Sequence, residues 1–191
     1  VRVTDAHAQT PDGFGKPAAV QAVADTPDYQ TKAKAAVLMD AQTGRVLFAQ
    51  NAGLRLPMAS TTKIMTALLT LEQGGLDDYF QIDSDAIRVE GSSMGLQEGD
   101  SVSLRALAYG MLLASGNDGA NAAAVRISGS IPAFVERMNA RAAEIGMADT
   151  RFATPSGLDD PGHYSTAYDM ALLAREALQN PLFAEICAQS K

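Results

Sequence analysis

The sequence predicts a mixed α/β fold in which a helical subdomain lies beside an antiparallel sheet, and three observations support this. Two short strand-like runs near the start flank a glycine-containing turn. Several segments with helical spacing of apolar residues follow them. The 191 residues are 47% hydrophobic and 19% charged, which suffices for roughly one globular domain with a sizeable core.

The first 31 residues differ in composition from the rest of the chain. They are rich in Ala, Asp, Gln, Thr and Pro and show no sustained hydrophobic period, so residues 1–31 are predicted to be a disordered leader or linker. A loose glycine fingerprint at 13–18 lacks the preceding strand that a dinucleotide site requires. Nucleotide binding is therefore not expected, and the structured domain is predicted over 32–191.

The strands and helices follow from local signals. Residues 35–40 and 45–49 are strand-like, and Gly44 in the turn between them favours a β-hairpin. Ser60 is predicted to cap the first helix and Ser103 the second, Gly146 ends a later one, and Thr166 has a capping-box spacing to Asp169. Helices are predicted over 60–73, 104–114, 118–127, 131–145, 166–179 and 181–188, with turns and small strands over 76–102.

Charge and composition exclude several classes of function. With 15 Lys and Arg against 22 Asp and Glu, the formal charge is −7, so nucleic acid is not an expected partner. No apolar run approaches the length of a membrane span. Cys187 is the only cysteine, and His7 and His163 have no metal-ligand spacing to another His or Cys. Neither a metal nor a cofactor is expected.

The first candidate nucleophile is Ser60, which lies three residues before Lys63 at the start of an apolar helix. Residues three apart share a helix face, so the Lys63 amine can reach the Ser60 hydroxyl. A helix N-terminus favours developing negative charge, and a partly desolvated lysine can act as a base near neutral pH. The pair taken alone is more typical of a capping serine beside an exposed lysine than of a catalytic pair.

A second arrangement changes that balance. Ser115, Gly116 and Asn117 lie in the break between two predicted helices, where a sharp turn can point Ser115 and Asn117 into one cleft. A C-cap glycine followed by a helix start would explain the turn. This C-cap explanation does not account for the combination of the turn with an upstream Ser-x-x-Lys. The combination favours a catalytic site built from Ser60, Lys63, Ser115 and Asn117.

A third arrangement competes with these two. Residues 91–95 match the Gly-x-Ser-x-Gly pattern of a nucleophile elbow around Ser93, and Asp159 or Asp160 and then His163 follow in the order of a serine hydrolase. The elbow requires a strand before it and a helix after it, and here a turn signal follows. The chain also lacks alternating strand and helix units, so this arrangement is disfavoured.

With these motifs placed, the chain resembles the low-molecular-weight penicillin-binding proteins, the serine-type D-Ala-D-Ala carboxypeptidase family. The segments that carry the resemblance are 38–44, 57–63, 91–95, 112–118, 154–159 and 164–170. The resemblance implies a serine β-lactamase/DD-peptidase-like fold, and it places 91–95 in a small hairpin. It also implies roles: Ser60 as nucleophile, Lys63 as base, Ser115 as proton relay to the departing D-Ala, and Asn117 as the amide that orients the acyl chain.

The resemblance implies partners and a location as well. The substrate would be the peptidoglycan stem peptide, β-lactams would acylate the same serine, and the protein would act outside the bacterial cytoplasmic membrane. A serine β-lactamase is a less favoured alternative, because the middle motif is Ser-Gly-Asn where class A enzymes carry Ser-Asp-Asn, and their deacylating Glu has no counterpart in 150–160. A non-catalytic penicillin- or cell-wall-binding module is the other alternative.

One departure from the family pattern concerns its third motif, because no Lys in this sequence is followed by Thr-Gly. In the family that motif lies on a later strand and supplies a donor to the oxyanion hole. We therefore expect 32–191 to be the N-terminal part of the catalytic domain, with an incomplete sheet and weak activity by itself. The expected partners then include the chain's own C-terminal fragment, and any membrane contact would come through that missing part.

Overall fold

The computed structural model describes residues 31–189, apart from the side chains of residues 84 and 85. The predicted leader lies outside the described residues except for Thr31. The elements in chain order are β1 (Ala36–Met39), β2 (Val46–Gln50), a 3₁₀ helix (Ala59–Thr62), α1 (Lys63–Leu71), β3 (Tyr79–Gln81), α2 (Ser84–Ile87), β4 (Ser101–Ser103), α3 (Leu104–Leu113), α4 (Asn117–Ser128), α5 (Ile131–Ile145), α6 (Ala167–Ala177) and α7 (Pro181–Cys187).

Strands β1 and β2 form the predicted antiparallel hairpin. The turn closes because the Asp40 carboxylate accepts hydrogen bonds from the backbone N–H groups of Gln42 and Thr43, and Gly44 takes a positive φ of 75°. One face of the hairpin packs against α6 through Val37, Met39 and Val46 around Tyr168, whereas Leu38 on the other face is 56% exposed. Strands β3 and β4 form a second antiparallel pair.

Helix α1 is the centre of the helical subdomain. It contacts α3, α4, α5, α6 and α7, and every residue of it except Ile64 is buried. A helix surrounded by other helices has no solvated face, so its polar side chains must find partners inside the protein. The fully buried threonines Thr62, Thr66 and Thr70, spaced by four, line one side of this region.

Most helix boundaries follow the predicted signals. The Ser103 hydroxyl accepts from the Ala106 N–H at 3.2 Å, the Thr166 hydroxyl accepts from the Asp169 N–H at 3.1 Å, and Gly146 ends α5 with a φ of 88°. The prediction that Ser60 caps the first helix was wrong. The backbone is already helical at Thr62, so the 3₁₀ helix runs directly into α1 and no extended cap residue exists there.

Residues 91–95, which the resemblance places in a small hairpin, lie between α2 and β4 in the long connection that joins the paired strands β3 and β4. The backbone N–H groups of Met94 and Gly95 bind a carboxylate from α4, which is described below. Among the described residues, no helix combines the length and the apolar character needed to cross a membrane.

Candidate active site

The structure brings Ser60 and Lys63 together at the start of α1. Ser60 lies exposed within the 3₁₀ helix, and Lys63 is the first residue of α1. The Lys63 Nζ lies 3.2 Å from the Ser60 Oγ and 2.7 Å from the backbone oxygen of Ser156. The spacing of three residues thus gives the predicted proximity, while the Ser156 carbonyl is a partner that no sequence pattern indicated.

The environment of Lys63 favours the neutral amine. Its side chain is only 2% exposed, and burial lowers the pKa of Lys63 from 10.5 to about 8. Its hydrogen-bond partners are a hydroxyl and a carbonyl, so no anion holds the proton on the amine by direct contact. An amine with a pKa near 8 can take a proton from a hydroxyl near neutral pH.

The loop that supplies the Ser156 carbonyl is held closely against the start of α1. The Thr66 hydroxyl donates to the Pro155 oxygen at 2.6 Å, one turn beyond the Lys63–Ser156 bond. Gly157 has a φ of 89°, and a Cβ at this position would overlap the carbonyl oxygen of Ala59 and come within 2.8 Å of the Thr62 Oγ1. The loop can approach the backbone beside Ser60 this closely only because residue 157 has no side chain.

We expect Gly157→Ala to destabilise the fold by about 2–4 kcal/mol, since the change combines a left-handed backbone with a clash against backbone. Gly129→Ala is the matched control, because Gly129 has a φ of 75° but open space where a Cβ would lie. That variant should lose only about 1 kcal/mol. Denaturant unfolding measures both values, and equal losses would contradict the close approach seen at Gly157.

The Ser115–Asn117 turn connects α3 to α4, both of which pack against α1. Ser115 is half-buried and has a positive φ of 56°, a strained conformation for a residue other than glycine. Asn117 is the first residue of α4, and its Nδ2 donates to the Glu90 oxygen at 2.7 Å. No hydrogen bond among residues 31–189 joins Ser115 or Asn117 to Ser60 or Lys63, so only the first pair of predicted site residues is in direct contact.

Asp118 on α4 holds the loop that carries the alternative nucleophile Ser93. Its carboxylate accepts from the Ser93 hydroxyl at 2.6 Å and from the backbone N–H groups of Met94, Gly95 and Leu96 at 2.9–3.1 Å. Burial alone would raise the pKa of Asp118, but the hydrogen bonds from Ser93 and from the backbone outweigh it and lower the pKa. Asp118 therefore remains an anion that fixes this loop.

Replacing Asp118 by Asn is expected to open the 91–96 loop at a cost of about 1–3 kcal/mol, because a neutral amide oxygen cannot accept all four hydrogen bonds. Hydrogen exchange of the Met94, Gly95 and Leu96 amides measures the opening.

Because the folded pKa of Asp118 is lowered, the stabilisation by Asp118 is present above its unfolded pKa and is lost as the pH falls through the folded value. Asp100→Asn, at an exposed turn carboxylate, is the control and should leave these amides unchanged.

His163, the other member of the alternative triad, has different partners. Its Nε2 lies 2.7 Å from the Thr62 Oγ1, and its Nδ1 accepts from the Ala153 N–H at 3.0 Å. Ser93 donates to Asp118 instead, so the serine-hydrolase arrangement of Ser93, Asp159 or Asp160 and His163 is not formed. The elbow hypothesis was weak on sequence grounds, and the structure contradicts it.

A serine beside a buried lysine at the start of a central helix, with a Ser-Gly-Asn turn between two adjoining helices, is similar to two of the three elements that serine acyl-transfer enzymes of the penicillin-binding type use. The model of the peptidase S11 family, described as D-alanyl-D-alanine carboxypeptidase, matches residues 20–191. The chain belongs to this family. The resemblance noted from the sequence motifs is thereby confirmed.

Individual relatives agree with this assignment. The D-alanyl-D-alanine carboxypeptidase DacF of Bacillus subtilis is 41% identical over 159 residues, which are 81% of this chain and 41% of that protein. DacB2 of Mycobacterium tuberculosis is 37% identical over 172 residues, or 89% of this chain and 59% of that protein. The chain therefore spans about half the length of these curated relatives.

Solved structures confirm the predicted fold. The crystal structure of the D-alanyl-D-alanine carboxypeptidase DacD from Francisella tularensis superposes with a TM-score of 0.81 at 36% identity, covering 92% of this chain and 45% of that one. A mutant of the Streptomyces K15 DD-transpeptidase superposes with a TM-score of 0.78 at 30% identity, covering 83% of this chain and 65% of that one. The fold is that of the DD-peptidases.

Proposed function

We propose that the protein to which this chain belongs is a serine-type D-Ala-D-Ala carboxypeptidase that removes the terminal D-alanine of peptidoglycan stem peptides. The observation that carries the proposal is the Lys63 Nζ, which lies 3.2 Å from the Ser60 Oγ and is desolvated enough to lower its pKa to about 8. Membership of the peptidase S11 family supports the substrate class. The proposal concerns the whole protein, since the chain covers 41% of its Bacillus relative.

The first step follows from the contact between Ser60 and Lys63, and the roles of Ser115 and Asn117 are those that the family resemblance implies. The Ser60 oxygen attacks the carbonyl carbon of the penultimate D-alanine while its proton moves to the Lys63 Nζ. The tetrahedral intermediate collapses with cleavage of the C–N bond. The departing D-alanine nitrogen takes the Ser115 hydroxyl proton, and Ser115 is re-protonated by the Lys63 ammonium, which returns that amine to its neutral form. Water then hydrolyses the ester on Ser60. The second hydrogen on the Asn117 Nδ2, beyond the one given to Glu90, would donate to the acyl chain.

The same nucleophile would react with β-lactams. Attack of Ser60 on the strained lactam carbonyl opens the ring and leaves a covalent ester, and slow hydrolysis of that ester makes the compound an inhibitor. Because peptidoglycan lies outside the cytoplasmic membrane, we place the protein in the bacterial cell envelope. Peptidoglycan stem peptides and β-lactams are thus its proposed partners, and the proposed chemistry requires neither a metal nor a cofactor.

The test uses the full-length protein with a fluorescent penicillin and with a pentapeptide that ends in D-Ala-D-Ala. We expect a stable adduct that peptide mass mapping assigns to Ser60, together with release of free D-alanine. An adduct without D-alanine release would instead indicate a non-catalytic penicillin-binding module. Rapid turnover of the penicillin without D-alanine release would indicate a serine β-lactamase, and the absence of any adduct on Ser60 would overturn the proposed mechanism.

A further inference from the structure

His163 is a buried side chain that the proposed chemistry does not use. It is 4% exposed and packs edge-on against the ring of Phe152, with ring centroids 6.0 Å apart. Because its Nδ1 accepts the Ala153 N–H, the imidazole proton must be on Nε2. The Nε2–H then donates to the Thr62 hydroxyl oxygen at 2.7 Å. The imidazole therefore bridges two separate segments of the chain.

Those two segments supply the two ends of the Lys63–Ser156 hydrogen bond. Thr62 immediately precedes Lys63, and it is fully buried. Ala153 begins the loop that carries the Ser156 oxygen, and Gly157 of that loop lies directly against Thr62. A change in the His163 bridge would consequently alter how closely the loop covers Lys63.

We propose that His163 is a positioning residue that ties the 153–158 loop to the 3₁₀ helix and so holds the Ser156 carbonyl against the Lys63 amine. The inference rests on the proposed function, in which Lys63 is the base. The carbonyl takes one N–H of the amine, which leaves the lone pair of the neutral amine free to face Ser60. The closed loop also keeps water from the amine and so preserves the burial on which its basicity depends.

The bridge acts through hydrogen bonds and not through charge. Burial lowers the pKa of His163 and outweighs the carboxylates of Asp159 and Asp160, which act in the opposite direction. The imidazole is therefore neutral near pH 7. The pKa of Lys63 is lowered by burial, so a loosened loop would change it by admitting water.

Two buried threonines provide a matched pair of variants, one at the end of the 3₁₀ helix and one on α1. Thr62→Val removes the acceptor of the His163 bond, whereas Thr70→Val removes a hydroxyl that donates to the Thr66 oxygen of its own helix. Both side chains are fully buried, and the substitution nearly preserves their volume. A general loss of packing would affect both variants alike, but a loss of the bridge affects only Thr62→Val.

A second pair of variants tests the imidazole itself. His163→Leu removes both hydrogen bonds of the bridge, whereas His163→Gln keeps an N–H donor that can reach Thr62. We expect the glutamine variant to recover part of what the leucine variant loses. If the leucine variant does not fold, Thr62→Val decides the question alone.

Two readouts are measured in the full-length protein. The first is an NMR titration of Lys63 in protein that carries carbon-13-labelled lysine, with the Lys63 signal assigned from its loss in Lys63→Arg. The second is the rate of acylation by a fluorescent penicillin as a function of pH. Thr62→Val and His163→Leu should raise the Lys63 midpoint by about half a pH unit or more, which corresponds to acylation about threefold slower at pH 7. Thr70→Val should change neither quantity.

Two outcomes would overturn the positioning role. One is an unchanged Lys63 midpoint in folded Thr62→Val, and the other is an equal shift in Thr70→Val. If wild-type Ser60 takes no acyl group, the proposed function fails by itself, and the NMR titration still decides whether His163 controls the environment of Lys63.

Discussion

Replacing Ser60 by alanine is expected to abolish acylation by penicillin and release of D-alanine, with a loss of more than about 10⁴-fold in rate. No other hydroxyl is in hydrogen-bond contact with the Lys63 amine among the described residues, so none can take over the attack. The variant should remain folded, because Ser60 is exposed and Lys63 retains its bond to the Ser156 oxygen. A change of at most about 1 kcal/mol in unfolding free energy is expected.

Ser93→Ala is the matched control for this experiment. Ser93 is the serine of the Gly-x-Ser-x-Gly pattern, but its hydroxyl donates to Asp118 and not to a base. Labelling with fluorescent penicillin should therefore persist in Ser93→Ala. If Ser60→Ala were labelled at the wild-type rate, Ser60 would not be the nucleophile, and if Ser93→Ala lost all labelling while folded, the elbow hypothesis would have to be reopened.

Replacing Lys63 by methionine is expected to slow acylation by about 10²–10⁴-fold, the usual contribution of a general base. In the proposed mechanism the neutral amine is the reactive form, and burial lowers its pKa to about 8. Acylation should therefore rise with pH up to about 8 and level off above it, and the methionine variant should lose this limb. Stopped-flow labelling measures both profiles, with one rate determined at about every half pH unit from pH 5 to 10.

The same substitution has a predictable effect on stability. The folded pKa of Lys63 lies below the ordinary value of 10.5, so the unfolded chain binds more protons between about pH 8 and 10.5 and stability rises with pH there. Below pH 8 the buried charge costs of the order of 3 kcal/mol. Lys63→Met should relieve that cost at pH 7 but not at pH 10. Lys63→Arg keeps the charge and cannot act as a base. This variant should be acylated slowly and should lack the gain in stability that Lys63→Met shows at pH 7.

The parts of the fold that sequence reasoning predicted depend on local signals. Ser103 and Thr166 cap their helices through bonds three residues ahead, and Gly44 and Gly146 take the left-handed conformation that their turns require. Each of these signals acts within a few residues of the chain. The proximity of Ser60 and Lys63 is of the same kind, because three-residue spacing in helical backbone is enough to produce it.

The parts that were missed or wrong depend on contacts between distant segments. Asp118 fixes the 91–96 loop from more than twenty residues away, and no local pattern indicates that its carboxylate binds the backbone N–H groups of this loop. The Ser156 carbonyl, Gly157 and His163 likewise become part of the site only through tertiary packing. The four-residue spacing of Thr62 and Thr66 was the one available signal, since it marks a polar stripe that runs from the end of the 3₁₀ helix into the buried helix α1.

The left-handed backbone at Ser115 has a consequence for how this protein would respond to selection for heat resistance. At the ends of α4 and α5 the same conformation is filled by Gly129 and Gly146, where it is free of strain, whereas at Ser115 a side chain costs about 1 kcal/mol. Ser115→Gly should therefore raise the melting temperature while slowing D-alanine release, and calorimetry beside a release assay would show the opposing changes. A screen that scored thermostability alone would enrich this variant and so select for slower release of D-alanine.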